Sequence, residues 1–175
     1  MAVSIPEFFA NRSVFITGAT GFVGKALIEK LLRSCPQIGR IYLLIRPSKD
    51  KDAQSRLREL LKTEVRRTTF NYQKKFSRLL LYSQILLLLP KVFEWLRQHQ
   101  PEALNKLIPI NGDVSLPDLG IKPSDMQLIE DNVSVVFNSA ARVKFDYDLR
   151  SALDSNVKGP KTLASFCRRL KNLKV

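Results

Sequence analysis

Three glycines, Gly18, Gly21 and Gly24, punctuate the run Thr17-Gly18-Ala19-Thr20-Gly21-Phe22-Val23-Gly24. At this spacing each glycine has a separate task in holding a pyrophosphate. Gly18 makes a tight turn, Gly21 lets the backbone approach the anion, and Gly24 lets a helix pack closely on the preceding strand. The anion would rest at the helix N-terminus, against unpaired N–H groups and the positive end of the dipole. A glycine triplet also suits an ordinary turn, so its flanks decide the meaning. Ser13-Val14-Phe15-Ile16 has strand character before it, and Lys25-Ala26-Leu27-Ile28-Glu29-Lys30-Leu31-Leu32-Arg33 has helical character after it. Strand, glycine turn and helix in that order form the phosphate-binding corner of a dinucleotide fold.

Further candidates stand at the ends of later strands. Ile41-Tyr42-Leu43-Leu44-Ile45 reads as a second, doubly buried strand of the kind parallel sheets use. An acidic residue after it would bind a ribose 2′-hydroxyl, whereas arginine accommodates a 2′-phosphate. The residue is Arg46, followed by Pro47, Ser48 and Lys49. NADPH is therefore favoured over NADH as the cofactor, a solvated basic loop being the alternative. Lys106-Leu107-Ile108-Pro109-Ile110 reads as a third strand, with Pro109 placing it toward an edge. Beyond it, Asp113 can accept a hydrogen bond from an adenine amino group and Val114 can bracket the ring; turn formation by Gly112 and Asp113 competes with that role. Val133-Ser134-Val135-Val136-Phe137 is the fourth strand, ending in Asn138-Ser139-Ala140-Ala141. The small residues Ser139, Ala140 and Ala141 at its C-terminal end would let a flat cofactor lie close, where open parallel sheets bind ligands.

Between these strands the pattern supplies helices. One is expected from Phe22 to Ser34, stopping before Pro36. Another covers 53–64, and a third runs to about Glu130 with Ser124 and Asp125 as its cap. The last spans about 149–170 and carries Pro160, which removes a hydrogen bond and clashes with the preceding turn, so a kink near Asn156 is expected. Residues 1–11 form a lead-in that packs Phe8 and Phe9 near the first strand, and 173–175 look like the opening of a fifth strand. The fold class is α/β, a Rossmann-type doubly wound parallel sheet, incomplete at its C-terminus.

Composition agrees with that class. The chain has 175 residues, enough for one domain, with 45% hydrophobic and 26% charged residues, as in an ordinary soluble protein. Cys35 and Cys167 lack metal-ligand spacing and read as buried reduced thiols. The first eleven residues have neither a basic region nor a long apolar stretch, so no secretory signal is evident and the chain is expected to start in the cytosol. Net charge is +13, which by itself would suggest nucleic acid or an anionic membrane surface.

That charge is unevenly placed. Within 65–91, Arg66, Arg67, Lys74, Lys75, Arg78 and Lys91 stand without any acid, beside the leucine runs Leu79-Leu80-Leu81 and Leu86-Leu87-Leu88-Leu89. The apolar part is too short for a bilayer span of ~20 residues, but it could lie on an anionic membrane surface. Deleting the segment suggests another origin. With Glu64 joined to Val92, Leu57, Leu60, Leu61, Val92, Trp95 and Leu96 fall at amphipathic helical spacing on one continuous helix. Val65-Arg66 can be encoded as GTA-AGA, a splice-donor pattern, and Lys91 as AAG, ending in an acceptor AG. Translation of a retained intron is the favoured expectation, with a membrane-binding insertion as the alternative. On that expectation the basic charge says little about partners, and no nucleic acid is expected.

Five ordered motifs carry a family resemblance: residues 17–24, Ile41-Tyr42-Leu43-Leu44-Ile45-Arg46-Pro47, Gly112-Asp113-Val114, the run 138–146 from Asn138 to Asp146, and Asn156-Val157-Lys158-Gly159. Together they resemble the N-terminal domain of the fatty acyl-CoA reductases, members of the extended short-chain dehydrogenase/reductase group. Pro160 replaces the usual threonine after Gly159, and Asn138 stands where histidine is frequent. The resemblance implies NADPH-dependent reduction of long-chain acyl-CoA, through an aldehyde, to a fatty alcohol at the cytosolic face of the ER or peroxisomal membrane.

In that chemistry hydride goes to the carbonyl carbon while a tyrosine donates a proton to its oxygen, its pKa lowered by a lysine four residues on. Tyr42, Tyr72, Tyr82 and Tyr147 are followed at that distance by Arg46, Phe76, Leu86 and Ser151. No residue is assigned a catalytic role, Asn156 being a candidate supporting residue. The expectation is a fragment carrying the cofactor half, marginally folded or aggregating when isolated, with a complete non-catalytic NADP-binding protein or another extended reductase, such as a thioester reductase or nucleotide-sugar epimerase, as alternatives.

Overall fold

A computed structural model describes residues 3–48, 50–62, 92–142 and 148–174. Four parallel strands form its sheet: β1 (Ser13–Thr17), β2 (Ile41–Ile45), β3 (Leu107–Asn111) and β4 (Val133–Asn138), in the order β3-β2-β1-β4. The chain therefore winds outward from β1 to β3 and then returns to the other side of β1. That reversal leaves a crevice between the C-terminal ends of β1 and β4, the switch point where such sheets take ligands.

Alternating strand residues feed two cores. Val14, Ile16, Ile41, Leu43 and Ile45 face one side, where α2 (Phe22–Ser34) presents Ile28, Leu31 and Leu32 and α3 (Ala53–Lys62) presents Leu57 and Leu60. Phe15, Tyr42, Leu44 and Ile110 face the other, against Met126 and Ile129 of α5 (Pro123–Asn132) and Leu163 and Phe166 of α7 (Gly159–Cys167). Each fully buried aliphatic side chain contributes ~1.5–3 kcal/mol, so α2 is held chiefly by this face. All five residues of β2 are buried, as a strand covered on both faces requires. β4 reaches both cores through a register shift: Ser13 pairs with Val133 and Val14 with Val135, which turns Val133 and Val135 to opposite sides.

Pro109 lies in β3 at one edge of the sheet, where its missing N–H breaks no outer ladder. The lead-in contains α1 (Ile5–Phe9), opened by a capping box in which Ser4 N donates to Glu7 Oε2 at 2.9 Å. Phe9 is buried with its ring 6.4 Å from that of Phe137, while Phe8 stays near the surface under the Arg12 guanidinium.

Several boundaries differ from expectation. α5 begins at Pro123, whose fixed φ suits a first helical residue, so Lys122 rather than Ser124 or Asp125 precedes it and no side chain caps it. The last helix is built in pieces: α6 (Leu149–Leu153), a π-helical turn (Asp154–Lys158) in which Gly159 N reaches Asp154 O, then α7. The expected distortion at Asn156 takes this form because Pro160 has no N–H for the Asn156 carbonyl. α7 ends at Cys167, short of Leu170. No strand forms at 171–174, although Lys174 N donates to Ser134 O at 2.8 Å, which brings the chain alongside β4. Cys35 is buried and Cys167 half-buried, both free thiols whose pKa burial pushes up.

Segment 65–91 lies outside the described residues, as do 63, 64 and 143–147. On its far side, α4 (Glu94–His99) places Leu96 in the same core as Leu57 and Leu60, with Leu61 and Val92 packed against it. Arg97 also donates to the Leu61 carbonyl. Trp95 departs from the expected apolar face, remaining exposed while Phe93 is buried in its stead.

Candidate functional site

A cleft of about 340 Å³ opens at the C-terminal ends of the strands, lined among others by Gly18, Thr20, Gly21, Arg46, Asp113 and Val114. Ser139, Ala140 and Ala141 line it as well. Thus strand ends far apart in sequence supply one cavity, as parallel pairing from a common edge requires.

The glycine corner has little room. Gly18 has φ +68°, and a Cβ there would meet Ala140 N and Ser139 C at 2.6 Å. Gly18 O accepts from Gly21 N at 2.9 Å, closing the turn that delivers Gly21 as the residue before α2. At Gly24 a Cβ would lie 2.3 Å from Gly18 O, so only glycine permits this approach of helix to turn. Phe22 and Val23 occupy the first turn of α2 with exposed side chains. Neither lines the cleft itself; their backbone N–H groups belong to the first helical turn beside it, which leaves such groups without intrahelical partners. A cradle that a Cβ would fill, placed at a helix N-terminus, fits the diphosphate of a dinucleotide.

Thr17 is fully buried and does not line the cleft. Its hydroxyl donates to Asn138 Oδ1 at 2.5 Å and accepts from Ala140 N at 3.3 Å. Its carbonyl accepts from Ser139 Oγ at 2.6 Å. Thr17 therefore ties the end of β1 to the end of β4 and fixes the crevice from behind.

Arg46 and Asp113, assigned separately from the sequence, meet across the β2 and β3 ends. Arg46 Nε lies 2.7 Å from Asp113 Oδ2. Asp113 Oδ1 also accepts from Ser115 N at 3.0 Å and Ser115 Oγ at 2.8 Å. Gly112 makes this possible by close packing: a Cβ on it would meet Leu119 O and Leu44 Cδ1, each at 2.5 Å. Val114 packs on Gly159 at the start of α7.

Asn156 lies at the π-turn and grips the strand β4 loop from both sides. Its Oδ1 accepts from Arg142 N at 2.8 Å, and its Nδ2 donates to Arg142 O at 2.9 Å. Arg56 and Arg142 also line the cleft, although no sequence signal singled them out. A basic residue on a helix or in a loop has no readable direction until its element is packed. Among the described residues no group of His, Cys, Asp and Glu could hold a metal ion.

Residues 16–175 match an NAD-binding domain family described as male sterility protein. The chain belongs to the male sterility protein family. Relatives within reach of this family extend the match. A Drosophila melanogaster protein named as a fatty acyl-CoA reductase is 43% identical over 97% of this chain and 28% of its own length. Fatty acyl-CoA reductase 1 of Mus musculus is 34% identical over 99% of this chain, again 28% of its own length. The chain thus spans little over a quarter of these curated relatives. Among solved structures, the reductase (R) domain of a nonribosomal peptide synthetase from Mycobacterium tuberculosis superposes with a TM-score of 0.59 at 27% identity, covering 99% of this chain and 33% of that one. These likenesses bear out the Rossmann-type sheet and the resemblance to fatty acyl-CoA reductases that the sequence motifs carry. Membership of this NAD-binding family supports an NAD(P)-type dinucleotide as the cofactor of this male sterility family member.

Proposed function

We propose that this chain forms the NADPH-binding portion of a reductase that converts long-chain fatty acyl-CoA to fatty alcohol. The observation that carries the reading is the convergence of the Gly18-Gly21 turn, Arg46 and the Ser139-Ala140-Ala141 strand end on one cleft, in a chain 34–43% identical to fatty acyl-CoA reductases. The diphosphate rests on the first-turn amides of α2, and Arg46 meets the 2′-phosphate. Asp113 and Val114 hold adenine, while Ser139, Ala140 and Ala141 border the dinucleotide beyond the diphosphate. When bound, NADPH supplies hydride; the residues named here bind and orient it. Asn156 supports this arrangement by fixing the backbone at Arg142, next to the last of these residues.

The proposed setting is the cytosolic face of an ER or peroxisomal membrane; no helix among the described residues is long and apolar enough to cross one. A second reading, reduction of a thioester presented by another carrier, has the 27% likeness to a peptide synthetase reductase domain in its favour. Full-length protein supplied with NADPH and palmitoyl- or stearoyl-CoA is expected to yield fatty alcohol with NADPH consumption. NADPH binding with no turnover of either acyl-CoA would remove the fatty acyl-CoA assignment and leave the second reading.

A further inference from the structure

Between β3 and α5 the backbone takes a sharp left-handed course. Asp118 has φ 48° and ψ 30°, Leu119 φ 59° and ψ 15°, and Gly120 φ 59°. Only the third is glycine, so two L-residues are held where Cβ crowds the following carbonyl. Such a conformation persists only where the surroundings over-determine it. From inside the fold, Leu119 is fully buried in the core that contains Phe15 and Ile129. Its carbonyl accepts from Asp113 N at 2.7 Å, the hydrogen bond that fixes the backbone of the proposed adenine partner.

Arg169, just past the end of α7, holds the same turn from outside. Its Nη1 lies 2.9 Å from Asp118 Oδ1, its Nε 2.9 Å from Glu130 Oε1 on α5, and its Nη2 2.9 Å from Met126 Sδ. The guanidinium carbon also sits 5.4 Å from the centre of the Phe166 ring. A planar fork engaged through three nitrogens and one face keeps a fixed direction, which a lysine ammonium would not. Both side chains of the Asp118 pair are open to solvent, so its direct contribution to stability is small. What the pair sets is position. Ser115 N and Oγ fasten the Asp113 carboxylate to its own loop, so its aim follows the Asp113 backbone, and that backbone hangs from Leu119. Arg169 itself faces a separate hollow, with Ile121 and Gln127, and does not line the cleft.

We infer that Arg169 is a positioning residue for adenine recognition: by clamping Asp118 it holds the left-handed turn, and the Leu119 carbonyl of that turn aims Asp113 into the cleft. This inference rests on the dinucleotide reading of the cleft. Losing the clamp leaves Leu119 in its core, so the chain stays folded while the turn, and with it Asp113, gains alternative positions.

Titration of the full chain with NADPH, in wild type, R169A, D113A and R169A/D113A, tests it, with thermal unfolding of each variant alongside. R169A should weaken NADPH by about three- to tenfold, a coupling smaller than the loss of a direct charged contact, with little change in melting temperature. R169K, which can keep the Asp118 pair but not the whole fork, should fall between. D118A removes the clamp from its exposed end while Arg169 keeps Glu130, and should match R169A. In the D113A background R169A should cost nothing further, because the group it positions is gone. An equal loss from R169A with and without the Asp113 carboxylate would overturn the inference, leaving Arg169 only a support for the fold, and so would an unchanged affinity in R169A and D118A or in D113A. A wild-type chain that binds no NADPH would overturn the dinucleotide reading itself, and the Arg169 assignment with it.

Discussion

Arg46 Nε lies 2.7 Å from Asp113 Oδ2, so the residue read as a phosphate partner and the residue read as an adenine partner hold each other across the ends of β2 and β3. The pair is half open to water on the arginine side, which keeps its direct contribution to stability small. Its consequence is for recognition. Ser115 N and Oγ and Arg46 Nη2 all donate to Oδ1 and Arg46 Nε to Oδ2, so the carboxylate gains acceptor capacity for adenine as Arg46 turns toward a phosphate. Replacing Arg46 by alanine is therefore expected to weaken NADPH by about ten- to a hundredfold while leaving NADH within a few-fold, measured by fluorescence titration. D113A should weaken both cofactors, because adenine is common to them.

The glycine corner gives a second expectation. A Cβ at Gly24 would sit 2.3 Å from Gly18 O, and neither backbone can give way without moving α2 from β1. G24A should lower stability by about 1–3 kcal/mol, read from urea unfolding, and abolish cofactor binding. G18A combines a φ of +68° with a backbone clash at Ser139 and Ala140 and should be at least as damaging.

Much of this site was legible in the chain because strand ends announce themselves. Five consecutive apolar residues gave β2 and hence Arg46, and the glycine run gave the turn before α2. Other features depend on tertiary placement. Thr17 borders the glycine motif but turns inward to Asn138. Its orientation follows from the pairing of β1 with β4, which no local pattern encodes. Arg56 is one of several basic residues in a polar helix, and only the docking of α3 turns it into the cleft. At Pro123 two helix-start signals compete one residue apart, and the proline prevails over the neighbouring serine. The distortion before Pro160 was readable from the proline, but its π-helical form depends on where the chain regains its hydrogen bonds.

Acid should loosen the fold through three exposed aspartates. Asp52 is held below the usual aspartate pKa by the Ser55 amide, Asp148 by the Ser151 hydroxyl and amide, and Asp131 by hydrogen bonding from Lys171 and then Gln127. A carboxyl with a lowered folded-state pKa contributes stability above its unfolded value, about 3.9, and loses it as pH falls through the folded value. Thermal midpoints should thus decline below about pH 4. The decline should be shallower in D148N, whose cap is no longer titratable.

Segment 65–91 supplies six basic residues and no acid, yet the apolar positions before and after it meet in one core. Joining Glu64 to Val92 is expected to preserve folding, because Leu57, Leu60, Leu61, Val92 and Leu96 already share that core. Circular dichroism and NADPH titration of the deletion variant should match the parent chain. Transcript sequence across this segment should encode Lys91 as AAG, ending in the acceptor AG, if the segment is a retained intron; an AAA codon there would rule that origin out.

The most direct measurement of the cofactor assignment is paired titration of the purified full chain with NADPH and NADH. Saturable binding with one site per chain, at least about tenfold tighter for NADPH, is the predicted result. Equal affinity for the two cofactors, a preference for NADH, or no saturable binding of either would contradict it.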